Sequence, residues 1–140
     1  DTLLRLFCTT TLFQAGGMLD NESDMRKSKH QMRRPDLSIY SADQKKKMKE
    51  GDKNQVALWV GEVISESDNA NKINTKLDEY FAAGVKVVWN IYFLSRQVYV
   101  YTAPDEVTIC RRKKICSAEP TIKGFKISVD DLFDEIKINA

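Results

Sequence analysis

The chain reads as an α/β protein, a mixed β-sheet flanked by helices, and three observations carry that reading. The run Gln55 to Ser65 is almost wholly apolar, as a strand covered on both faces should be. Asn71 to Ala83 follows, with Ile73, Leu77, Tyr80 and Phe81 at the i, i+4, i+7, i+8 spacing of one helical stripe. Val85 to Tyr92 and Gln97 to Thr102 then read as two strands joined through Leu94-Ser95-Arg96, a hairpin signature.

The other elements follow in chain order. Leu3, Leu4, Leu6, Phe7, Leu12 and Phe13 predict a helix, although Thr9 to Thr11 leave a strand open; Gly16-Gly17 ends the segment. Met18 to Arg34 is polar and dense in charge, and reads as a loop or a loose hairpin arm. Pro35 introduces a short strand, Asp36 to Tyr40, with Leu37 and Ile39 on one face and Asp36, Ser38 and Tyr40 on the other. Ser41 to Asn54, with Lys45, Lys46, Lys47 and Lys49, is a solvated connection or a short exposed helix. Ser65, Ser67, Asp68 and Asn69 offer turn and N-cap chemistry ahead of the main helix, and Gly84 is a natural stop behind it. Glu106 to Arg111 adds a strand and Phe125 to Val129 a last short one. Asp130 to Ile136 forms a terminal helix whose first acids suit its dipole.

Size and composition set the class. The 140 residues suit one domain over positions 1–140, and 42% apolar with 30% charged residues describes an ordinary folded chain. A net charge of +2 neither supports nor excludes a polyanionic partner. No run approaches the roughly 20 apolar residues that span a bilayer. Leu3 to Phe13 is interrupted by Arg5 and three threonines and has no basic leader, which argues against a secretory signal. Cys8, Cys110 and Cys116 stand in no metal-ligand spacing and read as reduced thiols of a cytoplasmic protein.

Within the apolar strand sits one carboxylate, Glu62. An ionised group there costs several kcal/mol unless a cation, a metal or hydrogen bonds compensate it. Two residues are placed to do so. Lys76 falls at the edge of the helical stripe, with its stem over apolar surface, whereas Lys72 points further towards solvent. Asp36 opens a strand that could lie beside that of Glu62. Two carboxylates and a lysine at one point suit phosphodiester hydrolysis, the acids holding a divalent cation such as Mg²⁺. The spacing is equally compatible with Asp36 capping a turn and Glu62 salt-bridged to Lys76 or Lys72.

At these residues the chain resembles the Uma-type endonuclease family of the PD-(D/E)xK, restriction-endonuclease-like superfamily. The matching segments are Arg33-Arg34-Pro35-Asp36-Leu37, Glu62-Val63-Ile64-Ser65, Lys76 with Tyr80, Ala83-Gly84-Val85 and Trp89. Gln97 to Tyr101, Gly124-Phe125 and Val129 to Phe133 agree as well, so the likeness covers about residues 33–135. It implies a restriction-endonuclease-like sheet and a DNA endonuclease using Mg²⁺ or Mn²⁺. Asp36 and Glu62 would be its metal-binding acids, with the Val63 carbonyl as a further ligand. Lys76 would replace the lysine that other members carry two residues after the second acid, where this chain has Ile64. Two-strand cleavage by so small a domain would call for a homodimer.

The chain departs from the family pattern at Lys72, where an acid is usual, at Tyr92, where an Asp is, and in an N-terminal lead-in that reads as shortened. These departures favour a second reading, a nucleic-acid- or protein-binding module that keeps the fold without cleaving. Elsewhere, His30 reads as an exposed bystander, and Trp59 and Trp89 read as core. The lysine block and the cluster Arg111 to Lys114 each read as either a solvated face or a contact to phosphates.

Overall fold

The computed structural model describes residues 2–21, 25–26, 32–33 and 35–138. The threonines split the first predicted helix in two, α1 (Thr2–Cys8) and α2 (Thr11–Gln14). Thr10 is the N-cap of α2, its Oγ1 accepting from the Phe13 N–H at 3.2 Å. Gly16, at φ +96°, turns the chain out of α2.

Of the two expectations for the polar stretch that follows, a loop or a hairpin arm, its described residues fit the second, since they lie in paired strands. Its start, β1 (Met18–Asn21), pairs antiparallel with β4 (Leu37–Tyr40), and between them β2 (Met25–Arg26) and β3 (Met32–Arg33) make a two-residue ladder. His30 lies outside the described residues. Of the two expectations for the lysine-rich segment, the helix holds: α3 (Ala42–Lys49) starts with a capping box in which Ser41 and Gln44 each bond the other's backbone N–H. Lys45 is not a solvated member of that block. Its Nζ lies 2.6 Å from Asp20 on β1 and 5.6 Å from the centre of the Tyr40 ring.

The remaining elements are β5 (Trp59–Ile64), α4 (Ala70–Ala83), β6 (Val87–Tyr92), β7 (Gln97–Ala103), β8 (Glu106–Arg111), β9 (Ile115–Ser117), β10 (Lys126–Ser128) and α5 (Val129–Ile138). Asn69 caps α4, its side chain accepting from the Lys72 N–H at 2.9 Å, and Gly84, at φ +110°, ends the helix. β9 is another strand the sequence does not announce. Three residues beside a basic cluster are too few for alternation to show, and β9 exists because β10 pairs with it.

Six strands form one sheet in the order β1-β4-β5-β6-β7-β8. Only β5 and β6 run parallel, and α4 is the crossover that a parallel pair requires. Side chains of alternate residues go to opposite layers. Ile39, Trp59, Trp89, Val98 and Cys110 pack under α1 and α5 with Phe7, Phe125 and Leu132. Tyr40, Val60 and Val88 pack on the other face against Leu77 and Tyr80 of α4.

Both tryptophans are core residues, as expected, with their rings edge-on at 5.4 Å and Phe125 stacked on Trp89 at 5.3 Å. Cys110 and Cys116 are buried and Cys8 is exposed, all three as free thiols. Among the described residues no helix is long and apolar enough to cross a membrane.

The aromatic layer reaches directly beneath β5. At Gly61 a Cβ would stand 2.5 Å from the Trp59 ring, so only glycine lets that indole fold back over its own strand. The Trp59 ring is packed on all sides and cannot yield cheaply. Gly61→Ala is expected to lower stability by about 1–3 kcal/mol, read as a lower urea midpoint at unchanged slope. An unchanged midpoint would show that the ring has room to shift.

Candidate active site

The site begins with a register. Leu37 of β4 pairs with Gly61 of β5, so one step further out Asp36 stands across from Glu62. Glu62 in turn pairs with Asn90 of β6, and Asn90 with Tyr99 of β7. Asp36, Glu62 and Asn90 therefore form a single polar row across three strands, on the face that α4 covers. Period-two alternation puts them there, with the large aromatics on the face below.

Helix α4 completes the row from above. Its buried stripe sets Tyr80 over β5, and the Tyr80 hydroxyl donates a short hydrogen bond to Glu62 Oε1. One turn earlier, Lys76 Nζ lies 3.9 Å from the same oxygen. Lys72 instead pairs with Asp68 at 3.2 Å, four residues before it on the surface. The sequence-level ranking of the two lysines therefore holds. Asp36 Oδ2 accepts from the Val63 N–H at 2.8 Å, which ties the end of β4 to the backbone of β5.

The structure thus brings Asp36, Glu62, Val63 and Lys76 together. Tyr80, named among the matching motifs and open there between packing and a site role, is a direct partner of Glu62; the residue the structure adds is Asn90, which lines the same cavity as Glu62, Lys76 and Tyr80. Asn90 was open to the argument already applied to Glu62: a polar side chain inside an apolar strand (Val87 to Tyr92).

Glu62 is 3% exposed, and burial is the main reason its carboxyl is pushed up from 4.5 to about 7. The neighbouring Asp36 carboxyl pushes in the same direction, while the Tyr80 hydroxyl and the Lys76 charge pull it back down. The two carboxylates are hard oxygen donors and suit a divalent cation of the Mg²⁺ type. Among the described residues no cluster of three or more Asp, Glu, His or Cys side chains occurs, so water would complete such a shell.

A model of the Uma2 family, described as putative restriction endonuclease, matches residues 2–130. The chain belongs to that family. Its membership reaches the first helix, further towards the N-terminus than the motifs around Pro35 suggest. No curated protein matches the chain. Among solved structures, it is similar to the crystal structure of a putative nuclease belonging to DUF820 from Anabaena variabilis, with TM-score 0.77 and 15% identity. That match covers 95% of this chain and 76% of the other, and it shows a shared fold, the restriction-endonuclease-like one expected from the motifs.

Folding raises the affinity of Glu62 for its proton. In metal-free protein, its contribution to stability is therefore full below pH 4.5 and lost as pH rises through about 7. With a chelator present, stability is expected to fall by roughly 2–3 kcal/mol between about pH 5 and 8. Glu62→Gln should remove most of that slope. Chemical denaturation at several pH values reads it, and equal slopes for the two proteins would show that Glu62 does not titrate in this range.

Proposed function

We propose that the chain is a metal-dependent endonuclease that hydrolyses phosphodiester bonds of DNA. The observation that carries this reading is the convergence of Asp36, Glu62 and Lys76 where β4, β5 and α4 meet. Family membership and the nuclease-like fold support it. Asp36 and Glu62, with the Val63 carbonyl, would hold Mg²⁺ or Mn²⁺. When bound, such an ion supplies Lewis-acid polarisation of the phosphate and a more acidic coordinated water.

The chain's own groups have separate tasks. Tyr80 holds the Glu62 carboxylate in one orientation through its hydroxyl. The Lys76 ammonium offers positive charge beside the place where negative charge builds on the phosphoryl oxygens. The overall step adds a water oxygen to phosphorus and breaks one P–O ester bond. The leaving oxygen gains a proton and the added water loses one.

Topology separates the two basic clusters that look alike in the sequence. Asp36 precedes β4 and α3 follows it, so the lysine block lies at the far end of that strand from the site. Arg111 ends β8 in the row Ile64, Tyr92, Gln97, Arg111, at the same end of the sheet as Glu62. Three strand spacings, about 14 Å, separate β5 from β8. Arg111 to Lys114 are exposed there, within reach of the same nucleic-acid backbone.

Plasmid DNA with Mg²⁺ or Mn²⁺ tests the site. Glu62→Ala, Lys76→Ala and Asp36→Asn are each expected to lower cleavage at least about a hundredfold, and activity surviving both alanine variants would reject it. The basic end is tested separately. Replacing Arg111 and Lys113 with alanine should weaken DNA binding and flatten its dependence on salt by about one phosphate contact per charge. Replacing Lys46 and Lys49 should leave both unchanged. The opposite pattern would place the DNA at the other end of the sheet.

A further inference from the structure

Asn90 is a polar side chain in a strand of buried hydrophobics. Its side chain is 2% exposed, and its amide nitrogen Nδ2 makes no hydrogen bond among the described residues. The flanking residues of β6, Val88, Trp89 and Ile91, are buried hydrophobics. A leucine of similar size would fit the strand and spare the cost of an unpaired buried amide, of the order of 1–3 kcal/mol. Unpaired buried donors in native structures are few and call for an explanation.

The cavity beside it supplies one. Asn90 shares it with Glu62, Lys76 and Tyr80, and Ile73 and Leu77 form apolar wall. Its volume is about 20 Å³. A single water needs some 10–15 Å³ on this measure, together with two to four polar partners. The carboxylate of Glu62 accepts, the ammonium of Lys76 donates, and the Asn90 amide donates. The Tyr80 hydroxyl is already committed to Glu62. The Tyr92 hydroxyl, two residues along β6, is near enough to take one N–H of the Asn90 amide, which leaves the other for the water.

We propose that Asn90 is a positioning residue for the hydrolytic water. Its Nδ2 donates to one water oxygen held between Glu62 and the Lys76 ammonium. The register that sets Asn90 directly beside Glu62 makes the water a neighbour of the acid row. This role rests on the nuclease reading above, since it assigns to that water the attack on phosphorus. The water's oxygen forms the new P–O bond as the ester P–O bond breaks, and its proton ends on the leaving oxygen.

Two measurements test it. In metal-free wild-type protein, the Asn90 side-chain amide protons should show a direct NMR cross-peak to a long-lived water. The peak should persist in Tyr92→Phe. Its absence from the wild type, or its loss in Tyr92→Phe, would overturn the proposal, because the hydroxyl and not a water would then be the partner.

Kinetics are the second measurement. Asn90→Leu should lower kcat by roughly ten- to a hundredfold with KM and Mn²⁺ affinity unchanged, and should raise the melting temperature. Asn90→Gln, which keeps the donor, should recover part of the rate. An unchanged kcat in Asn90→Leu, or a lower melting temperature, would mark the amide as a structural group and end the proposal. If the wild type cleaves no DNA, the nuclease reading fails, and the proposed catalytic role of Asn90 fails with it. If the wild type cleaves and Asn90→Leu cleaves equally well, only the role of Asn90 fails.

Discussion

Everything at the working end of this protein answers to one constraint: an acid buried in the middle of a sheet must be compensated. Glu62 sits beside a second acid on one neighbouring strand and an amide on the other, and it and the amide are almost closed off from solvent. A hydrophobic isostere at that position would stabilise the fold more simply. The chain instead surrounds the carboxylate with a tyrosine hydroxyl and a lysine from the overlying helix, which offset part of the cost of its burial.

The foundation beneath is correspondingly rigid. The residues of β5 and β6 that alternate with Glu62 and Asn90 are the tryptophans, and their edge-on packing with Phe125 fills the opposite layer. Gly61, between Trp59 and Glu62, lets the indole close over the strand and so lets the two layers meet at one backbone. Dense aromatic packing below holds the polar row above in register. A one-residue slip would exchange the two sets and bury the acids among the aromatics.

How much of this was legible depended on the range of the forces involved. The helical stripe of α4, its cap at Asn69 and its stop at Gly84 are local features, and they were readable. So was the difference between Lys76 and Lys72, which follows from helix geometry alone. The split between α1 and α2, the edge strand β1 and the short β9 were not readable. Each owes its form to a partner distant in sequence or to a single cap. Asn90 was within reach, because an amide inside Val87 to Tyr92 breaks the same rule as the acid inside β5. The two basic clusters could not be told apart, since composition does not say at which end of a sheet a charge emerges.

The amino-acid order alone determined that an α/β sheet would form, which faces its strands and main helix would bury, and that Glu62 was the anomaly to be explained. Those conclusions follow from periodicity and from the cost of burying charge, both properties of short stretches of chain. Only the tertiary structure decided that Asp36 lies opposite Glu62 and Asn90 beside it, that Tyr80 closes the group, and that Arg111 shares its end of the sheet. Strand order and register set those neighbours, and they arise from the packing of the whole chain and not from any one segment.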